Sequence, residues 1–202
     1  MRPERGSLAA IVAVLALAGC AATRDAVDLP PIAGWGDRTA VLGQVRDWKF
    51  KGRIAVRTGD DGFNAKFDWQ QRGAAFDARV SGPLGIGTLR IEGDGRSILL
   101  TDRDGVATEL EDAEFELRWR YGWTIPVESL RYWALGIPDP GSPAVTELDD
   151  EGRLAHLEQS GWTVRISRYG EGGGQPMPRS LTATNADTRV RMVIDRWLFF
   201  DR

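Results

Sequence analysis

The sequence predicts a mainly β domain, a strongly curved, incomplete antiparallel barrel with short helices as plug or lid. Three observations predict it. Stretches after residue 48 alternate apolar and polar side chains with a period of two, as half-buried antiparallel strands require. Gly- and Asp-rich pairs punctuate those stretches, as hairpin turns do. One central segment, residues 111 to 136, abandons the alternation. A sheet with one apolar face must cover it, by curling or with helices. Periodicity leaves open whether the enclosed space is packed or hollow.

Val41, Val45 and Trp48 fall at i, i+4 and i+7, which predicts a short amphipathic helix with Asp37 as its N-cap. Trp48, Phe50, Gly52, Ile54 and Val56 then share one strand face, opposite Lys49, Lys51, Arg53 and Arg57. Beyond a Gly59–Gly62 turn, Phe63, Ala65, Phe67 and Trp69 alternate with polar residues, and Phe76, Ala78 and Val80 follow. Ser81-Gly82-Pro83-Leu84-Gly85 interrupts this meander before Gly87, Leu89 and Ile91 resume it. Two short strands follow, marked by Asp94-Gly95 and Asp104-Gly105. Glu111 to Arg120 and Val127 to Leu135 are expected as short helices separated by Ile125-Pro126, the second with Leu130, Trp133 and Ala134 on one side. Pro138 to Pro143 is expected as a loop. Strands return over 154–159, 162–168, 180–185 and 190–199, split by a Gly- and Pro-rich loop over 170–178.

The N-terminus has a different logic. Arg2 and Arg5 precede an apolar run from Leu8 to Leu17, the layout of a secretory signal, too short to span a bilayer as a helix. The run ends in Leu17-Ala18-Gly19-Cys20, which looks like a bacterial lipobox. There the cysteine thiol takes a diacylglyceryl group before cleavage. The bland alternative is an ordinary signal with a chance cysteine, but Cys20 is the only cysteine in the chain. We therefore expect a signal peptide over 1–19, a lipidated tether over 20–34 reaching on the order of 20 Å, and a folded domain over 35–202. By analogy with lipoprotein sorting, Ala21 after the cysteine points to the outer membrane. One cysteine permits no intramolecular disulfide, so an exported domain relies on its core.

Composition excludes several functions. Removing Arg2, Arg5 and Glu4 with the signal leaves 24 Lys+Arg against 28 Asp+Glu, too mild a balance for nucleic acid. One histidine, His156, and one lipid-committed cysteine leave zinc and thiol chemistry without ligands. Asp149-Asp150-Glu151-Gly152 lacks the further oxygens of a calcium loop and reads as a hairpin turn. Gly172-Gly173-Gly174 is not followed by Lys-Ser/Thr, so it is no phosphate cradle. No cofactor, metal or catalytic residue is expected.

Two constellations remain. The inward aromatics Phe50, Phe67, Trp69, Phe76, Trp162 and Trp197 could line an acyl-binding cavity, although periodicity alone favours a packed core. Leu84 stands where a hairpin tip normally carries Asn, Asp, Gly or Ser. It either projects toward lipid or folds back onto the core, and the residues alone do not choose. Burial of one leucine contributes about 1.5–3 kcal/mol, enough to steer an event but not to anchor a protein.

Taken in order, Gly52-Arg53-Ile54-Ala55-Val56, Phe67-Asp68-Trp69-Gln70-Gln71, Gly82-Pro83-Leu84-Gly85, Ile125-Pro126, Leu130 to Gly136, Asp149 to Leu154, Gln159 to Trp162 and Trp197 resemble the outer-membrane lipoprotein receptor family LolB. The resemblance runs from about residue 35 onward. It implies an unclosed (half) antiparallel β-barrel with a helical lid over a hydrophobic cavity. It further implies a monomeric acceptor, lipid-anchored and facing the periplasm, that takes lipoproteins from the carrier LolA without nucleotide. Their acyl chains pass through the cavity into the inner leaflet of the outer membrane. On this resemblance Pro83, Leu84 and Gly85 form the membrane-delivery loop. The cavity is expected to be lined by Phe50, Ile54, Phe67, Trp69, Phe76, Val80, Leu89, Leu130, Trp133, Trp162 and Trp197. The chain departs from the family by being Gly- and Arg-rich between motifs. The competing readings are a lipid-anchored carrier of another apolar ligand, a structural anchor, and a lipid hydrolase, the last weakened by the missing nucleophile motif.

Overall fold

A computed structural model of the chain describes residues 24–82, 88–94, 97–111, 113–121 and 126–201. The signal segment, Cys20 and the Pro83, Leu84, Gly85 loop lie outside the described residues. The elements run β1 (Ala26–Val27), α1 (Trp35–Gln44), β2 (Asp47–Thr58), β3 (Asp61–Arg72), β4 (Ala75–Ser81), β5 (Thr88–Gly93), β6 (Ile98–Thr101), β7 (Ala107–Leu110), α2 (Ala113–Tyr121), α3 (Val127–Leu135), β8 (Ala144–Leu148), β9 (Leu154–Gln159), β10 (Trp162–Gly172), β11 (Gln175–Thr184) and β12 (Thr188–Phe200).

All twelve strands form one antiparallel sheet in the order β7-β6-β5-β4-β3-β2-β12-β11-β10-β9-β8, with β1 added beside β12. Two sequential meanders therefore meet along one non-sequential seam, β2 against β12, from Thr58↔Thr188 to Trp48↔Phe199. β7 and β8 are the free edges, so the barrel is unclosed, and α2 and α3 are the chain that connects them. The period-two reading explains the layout. Trp48, Phe50, Ile54 and Val56 of β2, Phe67 and Trp69 of β3, and Val190, Met192, Ile194, Trp197 and Phe199 of β12 all face one buried apolar cluster. That face is covered by Leu117 of α2 and by Leu130, Trp133, Ala134 and Leu135 of α3.

Five expectations change. The N-cap of α1 is Gly34 and Asp37 lies within the first turn. The buried helix face is Arg38 and Leu42, because the chain leaves the helix at Val45 and Trp48 already belongs to β2. The expected 170–178 loop is strand almost throughout. Gly173 and Gly174, with φ of +59° and +72°, make a two-residue turn of the kind that needs positive φ at both central positions. Pro176 and Pro178 are tolerated because β11 pairs with β12 only from Ser180 onward, so this stretch is locally an edge. β8 was not anticipated. Its Val145 and Leu148 are exposed, so no buried alternation marks it. Finally, Ala26 and Val27, inside the segment read as tether, pair with Phe200 and Phe199, and the Leu29 amide donates to Gly173.

Candidate functional site

The concave face is an aromatic floor. Trp69 stacks on Phe76 at 4.8 Å between centroids, and Phe67 meets the edge of Phe50 at 5.4 Å. Trp48 stands centrally, stacked with Phe50 and Trp69 and tilted against Trp197 at 5.6 Å. Trp197 in turn stacks on Phe199 at 5.7 Å. Such contacts contribute about 0.5–1.5 kcal/mol each beyond area burial. The floor thus runs unbroken across β4, β3, β2 and β12. Of the residues expected to line a cavity, Phe50, Ile54, Phe67, Trp69, Phe76, Val80 and Trp197 lie on these strands. Leu89 packs at the margin of the same cluster. Leu130, Trp133 and Trp162 gather at the other side, where Trp133 meets Trp162 at 6.2 Å. Trp48 and Phe199 belong to the floor and were missed. Trp48 shares the inward strand face with Phe50 but also closes the helix pattern of α1, and Phe199 reads as a terminal strand residue.

Buried indole N–H groups need partners, and three have them. Trp69 donates to Gln71 Oε1 at 3.0 Å, Trp133 to Gln159 Oε1 at 2.9 Å, and Trp197 to the Pro178 carbonyl at 2.9 Å. Gln159 also accepts from the Asp139 amide and donates to the Asp139 and Ser142 carbonyls. That network ties α3 and the loop after it to the β9–β10 hairpin.

A cation holds the same C-terminal end of α3 from the other direction. Arg38, only 2% exposed, reaches from α1 to donate to the Leu135 carbonyl at 3.4 Å, which complements the helix C-terminus. Its guanidinium also lies 5.2 Å over the Tyr169 ring, and Arg153 lies 4.6 Å from the same ring. The Tyr169 hydroxyl donates to Leu154 at 2.8 Å. Burial pulls the Arg38 pKa down, against the opposing influence of Tyr169, and burial likewise pushes the Tyr169 pKa up. Arg153 is paired with Asp149 at 2.8 Å, inside the β8–β9 turn. The Asp149 carboxylate accepts the amides of Glu151 and Arg153, which bears out the hairpin reading of Asp149–Gly152.

α2 is held differently. Leu117 points into the core, whereas Phe115 and Trp119, four residues apart, face outward at 63% and 82% exposure. Arg118 pairs with Asp187 of the β11–β12 turn at 3.2 Å. Nothing in the sequence marks these two aromatics as exposed, because the residue type suggests burial. Among the described residues no group of His, Cys, Asp and Glu could hold a metal, and no helix is long and apolar enough to cross a membrane.

An aromatic floor under two short helices that bridge the free edges of an open sheet matches the motif-based resemblance. The family model described as outer membrane lipoprotein LolB matches residues 46–197. This chain belongs to the LolB family. It is 36% identical over 192 residues to the outer-membrane lipoprotein LolB of Alkalilimnicola ehrlichii, covering 94% of this chain and 95% of that one. It is 33% identical to the LolB of Nitrosococcus oceani over 93% and 94% of the two chains. Among solved structures, a LolA superfamily protein from Nitrosomonas europaea superposes with a TM-score of 0.52 at 9% identity, covering 79% of this chain and 88% of that one. A DUF1329 family protein from Desulfovibrio piger superposes at 0.51 and 7% identity, over 81% and 89%. At such identities the likeness is one of fold, and it places LolB-family and LolA-like sheets in one architecture.

Proposed function

We propose that this protein is an outer-membrane lipoprotein receptor, lipidated at Cys20, that takes lipoproteins from the carrier LolA and releases them into the inner leaflet. The observation that carries the reading is the cover of the aromatic floor. Two nine-residue helices connect the two free edges, so lifting them breaks no strand-to-strand hydrogen bond. α3 is pinned at its C-terminal end by Gln159 and Arg38, and α2 is the part that moves. Acyl chains enter between α2 and the floor, meeting Phe115 and Trp119 at the rim. Each buried methylene contributes about 0.8 kcal/mol, so a long chain held on the floor binds tightly without nucleotide. Leu84, at the delivery loop, lowers the barrier to release at the bilayer.

The test uses the mature chain with Cys20→Ala, which retains every described residue. Incubated with lipoprotein-loaded carrier, it should strip the cargo and stay in the soluble fraction. A domain that leaves cargo on the carrier would sink the receptor reading, and one that takes up only free fatty acid would favour the apolar-ligand carrier.

A further inference from the structure

We propose that the convex face of β12, β2 and β3 is a docking surface for an anionic phospholipid bilayer, on which the domain lies side-on. The inference rests on the receptor reading for the membrane it names. On that face Arg189 stands directly opposite Arg57, and Arg53 directly opposite Lys66. Arg191 and Arg165 flank Thr182 from its two sides. Like charges placed opposite one another destabilise a sheet. Elsewhere on the convex side such a conflict is relieved: Arg79 opposes Arg90, and Asp77 pairs with both, at 3.2 and 2.6 Å. Here the relief is slight. Arg53 pairs with Asp195 at 3.0 Å, but Arg57, Lys66, Arg165, Arg189 and Arg191 pair with no carboxylate among the described residues. This accumulation runs against a chain whose net charge is −3. Arg53, Lys66 and Arg191 also rim a groove of about 470 Å³ with Ala55, Ala65 and Val193 in its wall, a cationic mouth with apolar sides that suits a phosphate headgroup.

Geometry selects a bilayer over an acidic protein. β1 pairs with the last residues of β12, and Arg24 reaches Asp47 at the start of β2 at 3.6 Å. Cys20 precedes Arg24 by four residues in the sequence, a reach of at most about 14 Å. The strands that flank the delivery loop end at Ser81 and Thr88, in the row of Lys66 and Arg53. That row lies six residues along β2 from Asp47, about 20 Å. Standing on its anchored end, the domain would hold these strand ends off the surface. Lying on its convex face, it brings the anchor, the cations and the loop flanks to one plane.

The test is co-flotation of the mature Cys20→Ala chain with vesicles of phosphatidylethanolamine alone or mixed with phosphatidylglycerol. The parent should bind only the mixed vesicles, and less so as salt rises. Arg57→Gln, Arg189→Gln and Arg191→Gln together should weaken binding roughly a hundredfold, at about fivefold per charge. The same positions changed to Lys should keep it. All three are exposed, and unchanged tryptophan fluorescence will show that the fold survives. Because Cys20 is the only cysteine, Asn64→Cys in this chain gives a single labelled site whose fluorophore should shift to the blue on mixed vesicles. A parent indifferent to phosphatidylglycerol, a Gln variant that binds like the parent, or an Asn64 label that reports no change would overturn the proposal. So would a Gln variant that keeps its vesicle binding but no longer associates with loaded carrier, which would assign the face to an acidic protein. Cargo acceptance in solution, without vesicles, is read separately: its failure removes the receptor reading, and the flotation result still decides this one.

Discussion

Gly52→Ala should be among the most damaging single-methyl additions this fold can suffer. Gly52 faces inward on β2, where β12 bulges between Ile194 and Arg196. A Cβ there would sit 2.2 Å from the Val193 carbonyl oxygen and 3.1 Å from the Ile194 Cα. Both are backbone atoms of the partner strand, so relief requires β2 and β12 to separate by about 1 Å at the seam that joins the two meanders. Overpacking of this kind costs about 1–3 kcal/mol, and a buried ladder group left unpaired costs about 1–3 kcal/mol more. The expected loss is about 2–6 kcal/mol, a large part of the 5–15 kcal/mol typical of a domain. Gly93→Ala supplies the control. Its Cβ would lie 2.3 Å from Phe76 Cε1, but a ring can turn, at the expense of its stack on Trp69. That change should cost about 1–2 kcal/mol. Urea unfolding followed by tryptophan fluorescence measures both on equal terms. If Gly52→Ala proves no worse than Gly93→Ala, backbone contact is not what limits this seam.

Three further outcomes are expected. Gln159→Leu strands the Trp133 indole and the Asp139 amide in a buried place and should cost about 2–4 kcal/mol, seen as a lower urea midpoint at unchanged slope. Leu84→Glu should accept cargo like the parent and deliver it poorly, so equal delivery in a transfer assay to vesicles would return that loop to a plain turn. For pH, partial burial pushes the Asp77 carboxyl up, but hydrogen bonds from Arg90 and Arg79 outweigh it and hold its pKa below the ordinary value. A depressed folded pKa gives stability that is complete above the unfolded pKa, near 3.9, and lost as pH falls through the folded one. Asp77→Asn should therefore make stability less steeply dependent on pH in the acid limb. An unchanged slope in a series of acid denaturations would contradict this.

Much of the fold was legible because a period of two is hard to mistake where both faces are occupied by contrasting residues. Trp48 to Val56 and Phe63 to Trp69 show it. The reading failed where the contrast vanished. Val145 and Leu148 of β8 point outward at a free edge, and Pro176 and Pro178 disguise a strand whose second neighbour has diverged. The floor was legible as a set of inward aromatics, but its centre was not. Nothing local tells that Trp48 and Phe199, at opposite ends of the chain, stand in register across one seam. Arg38 was invisible for a related reason. Its partners, Leu135 and Tyr169, are brought to it only by the assembled sheet, and a lone arginine in a helix pattern looks solvated. The outward cations of β2 were read as an ordinary wet face, and only pairing with β12 showed like charges in opposition.

The seam between β2 and β12 also sets the order in which this protein can become folded. Each meander can form hairpin by hairpin from neighbours in sequence, whereas the seam joins residues such as Phe50 and Trp197 across most of the chain. Closing so long a loop is entropically the dearest contact in the sheet, and topologies that depend on such pairings fold slowly. β12, the last of these strands in chain order, is thus also the last to arrive. Until it does, β2 and β11 are two open edges, each bearing half of an aromatic floor. A chain cut short before residue 188 would lose the keystone rather than a margin, leaving two hairpin stacks joined only through the helices that cover them.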